Sequence, residues 1–121
     1  MLNNNKCILV YGLSNSELVE LTKRKINTIV IKEEMSSMKI KDIIDGLKFS
    51  VAQSKCIGEK AILFNNYEDK TLQKTIKEVR SFISGGVLAV ITPTSIDWTF
   101  EYLLNHLIEE REWFKMQQKG R

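Results

Sequence analysis

A short apolar run, Gly86-Val87-Leu88-Ala89-Val90-Ile91, leads into Thr92-Pro93-Thr94-Ser95 and then an amphipathic pattern from Ile96 to Lys115. The apolar run suits a buried strand. The Thr/Pro/Ser segment suits a helix entry, with Pro93 at the first helical position, where its missing N–H is not needed. A strand, a capped turn and a long helix at the end of the chain are the signature of an alternating βα fold.

The preceding residues repeat this alternation. Cys7-Ile8-Leu9-Val10-Tyr11 is a continuous apolar run, as expected of a strand covered on both faces. Ser14 and Glu17 have capping-box spacing and open a helix with Leu18, Leu21 and Val19 facing inward. Asn27–Ile31 is a short β-branched strand. Ile40, Ile43, Ile44, Leu47 and Val51 recur at helical spacing, with Gly46 among them. Lys60–Phe64 is a third strand, and Leu72, Ile76, Val79 and Ile83 line a third helix.

The order βαβαβαβα predicts a single three-layer α/β domain over residues 1–121, frayed at 1–5 and 117–121. Its expected core is a four-stranded parallel sheet of order 2-1-3-4. That would be a truncated flavodoxin-like sheet with a long C-terminal helix. No internal repeat, low-complexity run or linker is legible between residues 6 and 115.

At 121 residues the chain is long enough to bury its own core. No apolar run approaches a membrane span and no separate signal-peptide core precedes the first strand, so a cytoplasmic protein is expected. Cys7 and Cys56 lack C-x-x-C spacing and read as two reduced thiols. With His106 the one histidine, no metal cluster and no cofactor are expected. The net charge is +3, and Lys23-Arg24-Lys25 is the densest basic point. That triplet ends a predicted helix, where cations oppose the negative end of the macrodipole. No basic stripe interleaved with aromatics accompanies it, which argues against nucleic acid.

In a parallel sheet a ligand sits beyond the carboxyl ends of the strands. On that edge the sequence places Ser14, Asn65, Asn66, Thr92, Thr94 and Ser95. Helix entries at Ser14 and Thr94 would offer free N–H groups to an anion. The same residue types are the ordinary ones for caps and turns. His106 has no nucleophile placed beside it, so no catalytic residue is assigned. On the last helix Ile96, Phe100, Leu103, Leu104 and Leu107 form the sheet-facing stripe. Trp98, Tyr102 and Trp113 fall beside it, either as core edge or as interface anchors for a second copy or another protein.

The segment Ile62-Leu63-Phe64-Asn65-Asn66, the turn Thr92-Pro93-Thr94-Ser95, Trp98 and Glu109-Glu110-Arg111 together resemble a bacterial domain family of unknown function, number 3783. The resemblance covers about the C-terminal half and implies a bacterial origin with no assigned activity. The βα order also resembles a response-regulator receiver. Gly12-Leu13-Ser14 and Asn65 stand where receivers carry their acidic residues, so the resemblance implies a pseudo-receiver without magnesium or phosphoryl transfer.

No G-x-G-x-x-G, P-loop, C-x-x-C or G-x-S-x-G pattern is present. The sequence therefore reads as a non-enzymatic module acting through protein contacts. Its alternative is a small-molecule or anion site at the carboxyl edge of the sheet.

Overall fold

The computed structural model describes residues 6–32, 35, 37–46 and 59–119. Among them lie strands β1 (Cys7–Tyr11), β2 (Thr28–Val30), β3 (Ala61–Asn65) and β4 (Val87–Val90). The helices are α1 (Asn15–Lys23), α2 (Ile40–Ile44), α3 (Asp69–Arg80) and α4 (Phe100–Lys119), with a 3₁₀ turn at Ser95–Asp97. Leu47, Val51 and Cys56 fall outside the described residues.

The strands form one sheet of order β2-β1-β3-β4, the order expected. Its directions are not those expected. β1 runs parallel to β2, and β3 parallel to β4, but β1 and β3 are antiparallel, with Leu9 opposite Leu63. The sheet is mixed rather than all parallel. The sequence signal failed for a physical reason: a strand covered by helices on both faces reads as a continuous apolar run whichever way it points. Both β1 and β3 are buried along their whole length.

Helices cover both faces, giving the three layers. Ile8, Val10, Ile62 and Phe64 pack with Leu21 of α1 and with Leu72, Val79 and Ile83 in and just beyond α3. Cys7, Leu9, Tyr11 and Leu63 pack with Ile40, Ile43 and Ile44 of α2 and with Phe100, Leu103 and Leu104 of α4. The strand alternation sends successive side chains to opposite layers, so one five-residue strand serves two cores. Val19, expected to face inward, is exposed one step round α1 from Leu18.

Lys6–Ile44 and Lys60–Leu104 follow one strand-helix-strand-helix plan, and the β1–β3 register relates them by an approximate two-fold about the Leu9–Leu63 pair. The strand-exit residue has positive φ in both, Gly12 at 79° and Asn66 at 62°, and positive φ recurs between the helix and the second strand, at Lys25 (59°) in one and at Gly85 (75°) and Gly86 (79°) in the other. Each helix opens one residue after its cap, Ser14 or Glu68. Ile31 N–H donates to Val10 O at 2.8 Å, and its counterpart Ile91 N–H donates to Phe64 O at 2.9 Å.

The two units touch at their other ends. Ile40 N–H donates to Trp98 O at 2.8 Å, and Phe100 N–H donates to Met38 O at 2.9 Å. These bonds flank an antiparallel bridge between Lys39 and Thr99. The plan thus recurs although no repeat is legible in the sequence. The units share mainly apolar identities, such as Leu9 with Leu63, Leu18 with Leu72 and Ile31 with Ile91. Their helices are of unequal length, α1 with 9 residues against α3 with 12, which shifts the spacing.

Candidate functional site

The antiparallel β1–β3 pair separates the carboxyl ends of the strands. Tyr11 pairs with Ala61 and Cys7 with Asn65, so the exits of β1 and β2 lie at one end of the sheet and those of β3 and β4 at the other. Ser14 is therefore on the edge opposite Asn65, Asn66, Thr92, Thr94 and Ser95. The structure brings the last five to one edge and leaves Ser14 out.

Ser14, Asn65, Asn66, Thr92 and Ser95 have local roles. Ser14 makes the capping box: its Oγ accepts from Glu17 N–H at 3.3 Å, and Glu17 Oε1 accepts from Ser14 N–H at 2.8 Å. Asn65 is buried and hydrogen-bonds the Cys7 thiol across the sheet. Burial pushes the Cys7 thiol above its ordinary value, and the Asn65 bond only partly offsets this. A low-pKa nucleophile is the opposite case, so Cys7 reads as a core thiol.

Asn66 supplies the left-handed turn out of β3, a conformation asparagine tolerates well. Thr92 and Ser95 close on each other. Thr92 N–H donates to Ser95 Oγ at 2.9 Å and Ser95 N–H donates to Thr92 Oγ1 at 3.0 Å. Thr94 precedes the 3₁₀ turn without a side-chain cap bond. The helix expected from Ile96 does not start there. The chain passes through Ser95–Asp97 and an extended Trp98 before α4 begins at Phe100. Pro93 thus belongs to the turn and not to the first position of α4.

An opening lies at the other edge, where β1 and β2 exit. It is a cleft of about 680 Å³ lined by Val10, Leu13, Leu18, Lys32, Lys60 and Gly86, among others. Lys60 stands at its side. The Lys60 ammonium pairs with Glu17 Oε2 at 2.8 Å and donates to Ser84 O at 3.2 Å. Burial pushes the Glu17 carboxyl up, but the Lys60 contact and the Ser14 bonds outweigh it and hold Glu17 below the usual carboxylate value.

Two glycines let the walls approach. Gly12 packs on the backbone of Glu59, and a Cβ at Gly86 would fall 2.7 Å from Lys60 O. Sequence reasoning missed Lys60, Gly12 and Gly86 as a group. The signal available was the Gly85-Gly86 pair next to an apolar run, but only the antiparallel pairing brings it beside the β1 exit.

The aromatic residues also separate. Trp98 packs against the core, with its ring 4.8 Å from Tyr102 and 5.5 Å from His106. His106 Nε2 lies 3.0 Å from Glu110 Oε1. Tyr102 and Trp113 are more than half exposed, at 57% and 56%, and Met116 is exposed at 71%. At about 100° per residue, Tyr102, Glu109, Trp113 and Met116 share one side of α4. That side is opposite the one carrying Phe100, Leu103, Leu104 and Leu107. Tyr102 and Trp113 do not widen the core stripe.

Among the described residues no group of three or more His, Cys, Asp or Glu could hold a metal ion, and no helix is long and apolar enough to cross a membrane. No curated protein and no solved structure matches the chain. Residues 60–114, which comprise the second unit and α4 as far as Phe114, match the model of the family described as Domain of unknown function (DUF3783).

Proposed function

We propose that this protein is a non-enzymatic binding module acting through protein contacts, with the outer side of α4 as the contact surface. The observation that carries this reading is the exposure of Tyr102, Trp113 and Met116 on the side of α4 turned away from the core. Exposed tryptophan and tyrosine at one face of a rigid helix are the residues that dominate protein interfaces. Ser14, Thr92 and Ser95 are engaged in caps and turns.

Glu109 and Glu110 lie within and beside the ridge. Two copies of α4 packed ridge to ridge would bring these carboxylates together, a like-charge contact that costs affinity. A partner helix with an apolar stripe and basic flanks suits the ridge better. The test combines light scattering over a concentration series with titration of an amphipathic leucine/lysine helical peptide, followed by tryptophan emission. The Trp113→Ser/Met116→Ser double variant is expected to keep its circular dichroism and lose peptide binding. Equal peptide affinity and equal mass for both proteins would remove this reading.

A further inference from the structure

The approximate two-fold lets each half of the molecule be compared with the other, and the two strand exits differ in one respect. At the β3 exit the space above the sheet is filled by the ring of Tyr67. That ring meets Phe64 edge to face at 5.6 Å, and the Lys6 ammonium lies over it at 5.0 Å. The residues related to these by the approximate two-fold are Leu13 for Tyr67, Val10 for Phe64, Lys60 for Lys6 and Gly12 for Asn66. All four line the cleft at the β1 exit. The first unit carries Gly12 and Leu13 where the second carries Asn66 and Tyr67, so no aromatic ring stands over the β1 exit from position 13.

We infer that the cleft at the β1 exit binds a small molecule carrying a flat aromatic ring. The ring would lie on Leu13 and Leu18 with the Lys60 ammonium over its face. This repeats the arrangement that the chain itself builds around Tyr67, in which an ammonium meets the negative face of a ring. The ammonium is held in place by Glu17 and Ser84 O. The bare backbone of Gly85 and Gly86 closes the opposite wall. A volume of about 680 Å³ lies within the ordinary range of small-molecule sites. The site is distinct from the α4 ridge and does not depend on it.

The test uses the full-length protein and p-cresol, the tyrosine side chain without its backbone, followed by amide shifts in nitrogen-15 spectra. Saturable shifts are expected at Gly12, Leu13, Gly85 and Gly86, with a dissociation constant of about 1 mM, typical of a fragment this small. 4-Methylcyclohexanol, of the same outline but without a π face, is expected to bind at least ~10-fold more weakly. Leu13→Tyr should supply the ring from within. It is expected to fold, to melt about 2–4 °C higher and to show no p-cresol shifts. The inference is overturned by the absence of saturable shifts at these glycines or by equal binding of the saturated analogue. It is overturned equally by a Leu13→Tyr chain that fails to fold or still binds p-cresol.

Discussion

Leu9 and Leu63 face each other at the centre of the β1–β3 register, on the axis that relates the two halves of the chain. Ile8 N–H and Val10 O are both used toward the β2 side. Leu9 therefore turns its own N–H and C=O toward β3, and it forms a hydrogen-bonded antiparallel pair with Leu63. Both side chains are buried, at 0% and 1% exposure.

This pair should be the last part of the molecule to open. Native-state hydrogen exchange is expected to show the Leu9 and Leu63 amides exchanging with the free energy of global unfolding. The Ile40 and Phe100 amides, bonded reciprocally across the axis, should share one value. Leu63 exchanging much faster than Leu9 would show that the two units open separately.

Gly86 and Gly85 are adjacent and both have positive φ, yet they should tolerate alanine very differently. A Cβ on Gly86 would lie 2.5 Å from Lys60 Cβ and 2.7 Å from Lys60 O, whereas one on Gly85 meets nothing within 4 Å. Gly85→Ala carries the left-handed penalty alone, about 1–2 kcal/mol. Gly86→Ala adds a backbone clash and is expected to cost roughly 3 kcal/mol or more. Urea denaturation of the two variants checks the difference, and equal midpoints would contradict the close approach of β4 to Lys60.

The Ser14–Glu17 capping box links α1 to the cleft through Lys60. Ser14→Ala is expected to cost about 1 kcal/mol. Glu17 is held below its ordinary value of 4.5, so its ionised form favours the folded state. That stabilisation is present above pH 4.5 and is lost as pH falls through the lower folded-state value. The difference between the parent and Glu17→Gln should therefore be largest near neutrality and shrink in acid. A difference independent of pH between 3 and 7 would show that the charge has no part in it.

The two sides of α4 should respond oppositely to truncation. Leu104 is fully buried, and Leu104→Ala is expected to cost about 2–5 kcal/mol. Trp113→Ser, on the outer side, is expected to change stability by no more than about 0.5 kcal/mol despite the larger deletion. A large loss from Trp113→Ser in thermal unfolding would place that ring in the core and remove it as a contact residue.

Local patterns were legible in the residues themselves. The strand at Cys7–Tyr11, the Ser14–Glu17 cap, the Leu72/Val79/Ile83 helix face and the four-strand order follow from period, capping chemistry and short connections, interactions between near neighbours in the chain. The polar residues at the strand exits were legible as a group only on the assumption that all exits share an edge. Reversal of β3 relative to β1 divides that group, and an apolar run buried on both faces carries no information about its direction.

The sequence by itself determined the four strands, their order and the Ser14–Glu17 cap of α1, because these depend on hydrophobic periodicity and on bonds within a few residues. Only the tertiary structure decided the strand directions, the approximate two-fold, the cleft between Gly12, Lys60 and Gly86, and the outward side of α4. Each of these arises from contacts between residues distant in the chain. The pairing of Leu9 with Leu63 sets which of those residues meet.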